Sequence, residues 1–329
     1  MNARKVLEMG GGTLLVSLPK DWARKNGVAK GSTLAVDVLS GRKLIVRPIE
    51  DAAEKPREIV IDYPKDDITH VLNDITGAYL LGYEVIRIRG EKVVTREDRE
   101  RVKATIGRLI GLEIMDENAK NISIQFLLET SGIDPERIAR RMASIIEGMV
   151  KDTAEGIQKG DERLLSLVAE RDDEIDRLYF LLVRIVRTAT IRMEVAESYG
   201  LAPVDVLDYR VLASFLESVG DAITELSKHL QRETITKAVA KEYASCISKL
   251  SKLGDLAIRS FMTRKAEGSR NLYLEVRALS NDITENLAEI ARHPQEKQAA
   301  AVETLGTVAR ANRLFVDISD LAVPTQSLE

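Results

Sequence analysis

The clearest hydrophobic pattern in the chain covers residues 168–190. Its apolar side chains recur at alternating steps of three and four residues, with Arg171 at the one position that interrupts the series. This spacing predicts a long amphipathic helix with one buried and one solvated face. The positions on the predicted buried face are Val168, Ile175, Leu178, Leu182, Ile185 and Ala189.

The same helical pattern repeats from Asp134 to the end of the chain. It predicts six helices, at about 134–159, 162–198, 205–231, 234–265, 270–291 and 296–321. Gly160-Asp161, Tyr199-Gly200, Gly268 and His293-Pro294 mark the breaks between them. Their comparable lengths predict two tandem three-helix bundles, at residues 132–232 and 233–323.

The preceding segment, 57–131, alternates strand and helix patterns. Strands are predicted at 59–62, 84–88, 113–116 and 122–128, with helices at 66–81 and 95–110, and Thr95 is suited to cap the second helix. This indicates a small α/β domain behind a charged linker at 49–57. It contains no glycine-rich phosphate-binding motif, so a spacer or dimerisation unit and a small-molecule sensor both remain open.

Short strand patterns surround one small helix in the first 50 residues. Strands are predicted at 4–9, 13–17, 33–39 and 43–47, with turns at 10–12 and 40–42. We expect Ser17 to cap the helix and Gly27 to end it. So small a β unit buries little apolar surface alone, which favours pairing with a second copy.

Charge distinguishes this first segment from the rest. The chain of 329 residues has a net charge of -4, yet residues 1–48 contain nine Lys and Arg against three Asp and Glu, a balance of +6. A basic segment on an acidic body indicates an anionic partner. The single cysteine, Cys246, excludes an intrachain disulfide, and no apolar run is long enough to span a bilayer. With no signal peptide pattern at the N-terminus, we expect a cytoplasmic protein.

The stretch GGGTLLVSLPKDWARKNGVAKGSTLAVDV, residues 10–38, resembles the SpoVT/AbrB-type swapped-hairpin domain. The resemblance covers residues 3–48 and implies a domain at 1–50 in which two chains interleave their hairpins and bind DNA through basic loops. The candidate DNA-contacting residues are Arg4, Lys5, Lys20, Arg24 and Lys25. Contacts of this kind go to phosphates and do not read the base sequence. The alternative is that these cations are solvated charges on a module that only dimerises.

Two stretches of the helical half, SLVAERDDEIDRLYFLLVRIVRTA and RVLASFLESVGDAITELSKHL, resemble the PhoU family of phosphate-uptake regulators. With the AbrB-like segment and the α/β segment in front, the order of the three parts resembles archaeal PhoU-like regulators. The resemblance implies regulation of phosphate uptake, with a phosphate transporter or its signalling protein as a partner.

Members of the PhoU family carry E-x-x-x-D pairs that in some cases hold metal ions. Carboxylates four residues apart share one helix face and can meet one hard cation. Glu217 and Asp221 match that motif, whereas the corresponding pair on the last helix keeps Asp317 but has Arg313 in place of Glu. On the second helix the family's positions hold Tyr179 and Val183, which are not ligands.

Asp172 and Asp176 form an acidic pair about two turns earlier on that second helix. The resemblance thus implies divalent or trivalent metal ions at Glu217 and Asp221, with Asp172, Asp176 and Asp317 as further candidates. Acidic pairs at this spacing also occur without any metal. Gly220, between the two motif acids, equally suits a close approach of two helices.

No catalytic arrangement is visible. His70, His229 and His293 lie on separate predicted segments without metal-binding spacing, and no serine or cysteine has the context of a nucleophile. The function predicted from the sequence is therefore a DNA-binding, non-enzymatic regulator of phosphate uptake. The alternatives are an accessory protein that docks on a phosphate transporter without binding DNA and, less favoured, a metal-binding helical bundle.

Overall fold

The computed structural model describes residues 3–39, 43–49, 56–63, 67–129, 132–232, 237–264, 269–292 and 299–322. The chain divides between Pro56 and Arg57 into two compact units. This division falls within the charged linker predicted at 49–57. The N-terminal unit and the larger second unit are described separately below.

The described residues of the N-terminal unit form two antiparallel hairpins with one short helix between them in sequence. Its elements are β1 (Val6–Met9), β2 (Thr13–Val16), α1 (Lys20–Lys25), β3 (Leu34–Leu39) and β4 (Lys43–Pro48). Val6 pairs with Val16 in the first hairpin, and Leu34 pairs with Pro48 in the second. The predicted elements are confirmed, while the predicted turn at 40–42 lies outside the described residues.

Helix α1 begins differently from the prediction. Pro19, not Ser17, occupies the N-cap position, and no side chain caps the helix. The expectation for Ser17 was wrong because proline fixes its own φ near the value of the first helical turn and supplies no cap. The helix is followed by Gly27 at φ 65°, as the sequence predicts.

The second unit opens with a four-stranded mixed sheet and two helices. Its elements are β5 (Glu58–Tyr63), α2 (Ile68–Leu80), β6 (Val85–Gly90), α3 (Arg96–Gly107), β7 (Leu112–Glu117) and β8 (Asn121–Phe126). The strand order is β5-β6-β8-β7, and only β5 and β6 run parallel. The Thr95 side chain accepts a hydrogen bond from the Asp98 backbone N–H and caps α3, as predicted. Ile86, Ile88 and Ile124 are fully buried in this α/β core.

Within residues 132–232, 237–264, 269–292 and 299–322, seven helices follow: α4 (Pro135–Lys159), α5 (Glu162–Ile191), α6 (Met193–Ser198), α7 (Pro203–Arg232), α8 (Lys237–Met262), α9 (Ser269–Ile290) and α10 (Ala299–Asp320). Helices α4, α5 and α7 pack into one three-helix bundle, and α8, α9 and α10 into a second. The two bundles join through contacts of α4 with α8 and of α7 with α10. The predicted fold class, mainly helical with tandem three-helix bundles behind a small β unit and an α/β segment, is confirmed.

The second predicted helix, 162–198, is interrupted. Arg192 has an extended backbone with φ −113° and ψ 103°, so α5 ends at Ile191 and the short α6 follows. No glycine or proline marks this point in the sequence. The Arg192 guanidinium lies 3.5 Å from Glu84 of the α/β segment, and this tertiary ion pair is the feature that coincides with the break.

The predicted buried face of α5 is confirmed. Val168, Ile175 and Leu182 have no exposed surface, and Leu178 is half-buried. The predicted stripe continues into a wider buried surface near the C-terminal end of α5, where the α/β segment covers the helix. A helix that packs against two layers needs a broader apolar face than one that packs against a single layer.

A buried arginine joins α5 to the α/β segment. Arg184 is 1% exposed, and its Nη1 donates a hydrogen bond of 2.6 Å to the Tyr79 carbonyl near the end of α2. Its guanidinium lies 3.8 Å from the centre of the Phe126 ring. Burial lowers the pKa of Arg184 to about 10. The positive charge thus sits where the helix dipole of α2 is negative and where an aromatic face is available.

In the part of the chain that the structure describes, no helix is long and apolar enough to cross a membrane.

Candidate functional site

The five cations proposed to contact DNA are all exposed. Arg4 and Lys5 directly precede β1, while Lys20, Arg24 and Lys25 belong to α1. Lys20 and Arg24 are four residues apart and therefore share a face of that helix. Arg24 also donates a hydrogen bond of 3.0 Å to Asp21, which offsets part of its charge.

Large apolar side chains of the same unit are exposed as well. Leu14 is 67% exposed, Val38 68% and Leu44 67%. Among residues 3–39 and 43–49, no described side chain is buried. A unit without a core of its own needs a partner surface against these strands.

The second candidate site is an acidic cluster between α5 and α7. The structure brings Asp172 and Asp176 of α5 close to Glu217 and Asp221 of α7, so that the charge of each acid affects its neighbours. Burial, followed by the charges of Asp221 and Asp176, raises the pKa of Asp172 to about 6. Burial and neighbouring carboxylates also raise the pKa of Glu217 and of Asp221. Partial burial and mutual repulsion therefore both disfavour the charged forms of these carboxylates.

Gly220 makes this close approach possible. A Cβ atom at this position would lie 2.8 Å from Ile175 Cδ1 and 3.4 Å from Asp172 Oδ1. The first distance is shorter than real contacts allow, so a side chain at residue 220 would force the fully buried Ile175 side chain to shift. The close helix approach suggested by the sequence is present.

Arginines from outside α5 and α7 border the cluster. Arg108, which follows α3, donates a hydrogen bond of 3.0 Å to Asp176. Arg310 of α10 donates one of 2.9 Å to Glu225, and its charge partly opposes the rise in the pKa of Asp221 that burial and Asp176 cause. The α/β segment and the second three-helix bundle thus each supply one cation to the acidic surface of the first bundle.

A groove of about 390 Å³ continues from the cluster between α7 and α10. The residues that line it are Asp172, Asp221, Thr224, Glu225, Lys228, His229, Arg232 and Arg310. His229 is half-buried, with its Nε2 3.8 Å from Glu303 Oε2. The groove is therefore lined by side chains of both charges.

Asp317 is not part of this cluster. Its charged neighbours are Asp320, Arg277 and Arg313, and its pKa is raised mainly by burial, with a further contribution from Asp320. Arg277 binds Asp320 at 2.7 Å. Arg313, at the position where the E-x-x-x-D motif has Glu, helps to keep the Asp317 carboxylate charged.

The arrangement does not form a ready metal centre. Within the residues that the structure describes, no group of three or more His, Cys, Asp or Glu side chains is placed to hold a metal ion. The carboxylate oxygens at α5 and α7 suit a hard cation chemically. However, Arg108 already supplies a positive charge to Asp176.

Several residues of this surface were not predicted from the sequence. Thr224, Glu225 and Lys228 follow Glu217 at helical spacing and could have been found by extending the motif along α7. Arg108 and Arg310 carry no local signal, because they reach the cluster only through tertiary packing. His229, which has no metal-binding spacing to the other histidines in the sequence, is half-buried in the groove. His293 lies outside the described residues.

The fold and the two surfaces define a class of protein: a multidomain helical-bundle protein with a small basic β unit at its N-terminus. Comparison with known families gives the more particular assignment. Residues 139–230 match the family model of the PhoU domain. Residues 9–54 match the model described as antidote-toxin recognition MazE, bacterial antitoxin. Residues 139–230 are therefore similar to a PhoU domain, and residues 9–54 to a MazE-type antitoxin domain.

One solved structure with similarity to the chain is that of PhoU from Pseudomonas aeruginosa. The similarity covers 57% of this chain and 93% of that chain, with a TM-score of 0.44 and 15% sequence identity. None of the curated proteins matches the chain. The predicted PhoU and AbrB resemblances are confirmed at the level of these domains, whereas the archaeal assignment and the four domain boundaries stay predictions.

Proposed function

We propose that the protein is a dimeric, DNA-binding regulator of phosphate uptake. The observation that carries the proposal is the presence, in one chain, of a PhoU domain and an antitoxin-type unit with five exposed candidate DNA-contacting cations. The proposed function is not enzymatic, and we propose that the protein acts in the cytoplasm.

The dimer is proposed from the exposed apolar strands. Leu14, Val38 and Leu44 would be unfavourably hydrated in a single copy, because their hairpins have no second layer. A second copy of the same unit offers a matching set of strands. Two-fold pairing would also double the number of cations available to a DNA backbone.

DNA binding is proposed from the exposed cations. Each Lys or Arg that neutralises a phosphate releases counterions, so binding should weaken steeply as salt rises. The balance of +6 in residues 1–48 supplies this charge while the remainder of the chain is acidic. The PhoU domain would then act as the docking or sensing part, with a phosphate transporter or its signalling protein as partner.

The test is DNA affinity of the full chain across a salt series, using DNA from upstream of its own gene. We expect the Arg4→Gln, Lys20→Gln, Arg24→Gln triple variant to lose about tenfold or more in affinity and to show a shallower salt dependence. The matched control is Arg163→Gln, Lys241→Gln, Lys252→Gln, which removes three exposed cations of the helical unit.

Equal loss in both variants would indicate a nonspecific effect of net charge and contradict the assigned interface. Weak binding that neither variant changes would remove the transcriptional role. The protein would then be better described as an accessory protein that docks on a transporter.

A second candidate function is cation binding at the acidic cluster, favoured by the raised pKa values of Asp172, Glu217 and Asp221. A hard divalent or trivalent cation would have to compete with Arg108 for Asp176. Metal analysis of the purified full chain, compared with the Glu217→Gln variant, tests this. Stoichiometric metal that the variant loses supports it, and the same metal content in both proteins contradicts it.

A further inference from the structure

A cavity of about 180 Å³ lies between α4 and α8, away from the acidic cluster. Its walls come from both three-helix bundles, since α7 and α10 contribute side chains as well. The apolar lining consists of Ile146, Val150, Leu216, Leu250, Ile258 and Phe315, all of them buried. An enclosed apolar cavity of about 150 Å³ accepts a benzene ring in a well-studied protein. This cavity is partly open, since Arg140 and Ser144 in its lining are exposed, and its volume is sufficient for a ring or a branched chain.

Small residues at the helix interface keep the cavity open. Ala143 and Ser144 line it from α4, and Ser251 and Gly254 line it from α8. A Cβ at Gly254 would lie 2.9 Å from two atoms of the Phe315 ring, so the ring rests directly against the bare backbone. Larger side chains at these positions would fill the space or push the ring away.

Charges of both signs surround the mouth. Arg140 and Glu147 lie on the α4 side, and Asp255 and Arg259 on the α8 side. Arg140 has a partner in its own helix, Glu136 at 2.7 Å, and Arg259 is 3.5 Å from Asp255. Exposed pairs within one helix contribute little to stability, so a bound ligand can take over these groups at small cost.

We propose that this cavity binds a small zwitterion with an apolar body, such as an aromatic or branched-chain α-amino acid. The apolar side chain would enter the buried part, the carboxylate would meet Arg140 or Arg259, and the ammonium would meet Glu147 or Asp255. Guanidinium groups are well suited to carboxylates, and the mixed signs at the mouth disfavour a ligand with only one charge. This inference is independent of DNA binding and of the acidic cluster.

Calorimetry with the full chain tests the ligand class. The probes are L-phenylalanine and L-leucine, together with 3-phenylpropionate, which lacks the ammonium, and phenethylamine, which lacks the carboxylate. For a ligand of this size we expect a dissociation constant of about 10 µM to 1 mM for at least one amino acid, and binding about tenfold weaker or more for both analogues. Binding also raises Tm as ligand concentration increases.

Two variants locate the site. Ser251→Leu fills the cavity and should abolish binding, whereas Ser248→Leu, exposed one turn earlier on α8, should not. Arg259→Gln preserves the cavity but removes a head-group contact, and we expect about tenfold weaker binding, with Lys252→Gln as its control. The proposal is overturned if neither amino acid binds, if an analogue binds as well as its amino acid, or if Ser251→Leu and Arg259→Gln both bind normally.

Discussion

The N-terminal hairpins and the helical bundles both have regular hydrophobic patterns, but only the bundles bury the apolar side chains of those patterns. In the hairpins, Val6 is 57% exposed and Val38 68%, whereas Leu212, Leu226 and Leu253 in the bundles have no exposed surface. A three-helix bundle supplies its own second layer, because each amphipathic face meets two others. A two-stranded hairpin has none until another surface arrives. An apolar pattern therefore predicts where burial will occur, but not whether the chain alone can provide it.

This difference should appear in how each unit responds to protein concentration. Stability that depends on a second copy falls on dilution, while stability from an internal core does not. The largest effect is therefore expected for a change in the hairpins.

Leu14→Glu should disrupt the proposed dimer. Leu14 lies at 67% exposure on β2, and a glutamate there would place a charge in the proposed interface. We expect the dimer dissociation constant to rise by about 100-fold or more, because an unpaired charge is costly to bury. Light scattering over a concentration series measures it.

The matched control is Leu167→Glu on α5, where Leu167 is 41% exposed. It should leave the dimer intact and change stability by about 0.5 kcal/mol or less. If Leu14→Glu leaves the protein dimeric at all concentrations, the hairpins are not the interface, and the contrast between the two units is wrong.

Arg184→Ala should destabilise the second unit alone. It removes the hydrogen bond to the Tyr79 carbonyl and the guanidinium over Phe126, and it leaves a large cavity. We expect a loss of about 3 kcal/mol in the free energy of unfolding, measured by urea denaturation. Dimerisation should be unchanged.

The Arg184→Met variant separates the contribution of packing from that of the charge. Methionine retains much of the side-chain volume, and the Tyr79 carbonyl still accepts a hydrogen bond from the Gly82 N–H. The expected loss is about 1 kcal/mol. Equal losses for the two variants would show that the charge, and not the packing, holds the α/β segment against α5.

Features that depend on contacts between distant segments were not predicted from the sequence, whereas local features were. Periodicity and caps predicted most helices and strands within a few residues, as at Thr95 and at α4, because those signals are local. The interruption at Arg192 and the burial of Arg184 were not predicted, since both depend on where the α/β segment meets α5. At the acidic surface, the spacing of Glu217 and Asp221 could be recognised in the sequence. The contact of Arg108 with Asp176 could not, because Arg108 comes from a different part of the chain.

Gly220→Ala should have a moderate effect within the bundle. The added methyl group would lie 2.8 Å from Ile175 Cδ1, so the Ile175 side chain would have to move within a fully buried environment. We expect a net loss of about 1–2 kcal/mol, because the clash outweighs the better helix propensity of alanine. Gly306→Ala on α10, where nothing lies within 4 Å of the added atom, should instead be neutral or stabilising. Urea denaturation of both variants, compared with the unmodified chain, measures the difference.

The smallest expected effect concerns the charge of Asp172. Its pKa is raised to about 6 in the folded protein, compared with about 3.9 in an unfolded chain. The folded state therefore holds an extra proton between these values, and its stability decreases as pH rises from about 4 through 6. Asp172→Asn removes this penalty, so the variant should be more stable than the parent at pH 8 and about equal to it near pH 4.

Because Asp172 is only partly buried, solvent screening reduces the expected gain at pH 8 to about 1 kcal/mol. Denaturation at both pH values, with chelator present, measures it, and Asp173→Asn on the exposed side of α5 is the control. A variant less stable than the parent at pH 8 only when chelator is omitted would mean that a cation compensates the cluster. A gain in both conditions would mean that the described cations near the cluster, Arg108, Arg310 and Lys228, offset its charge without a bound metal ion.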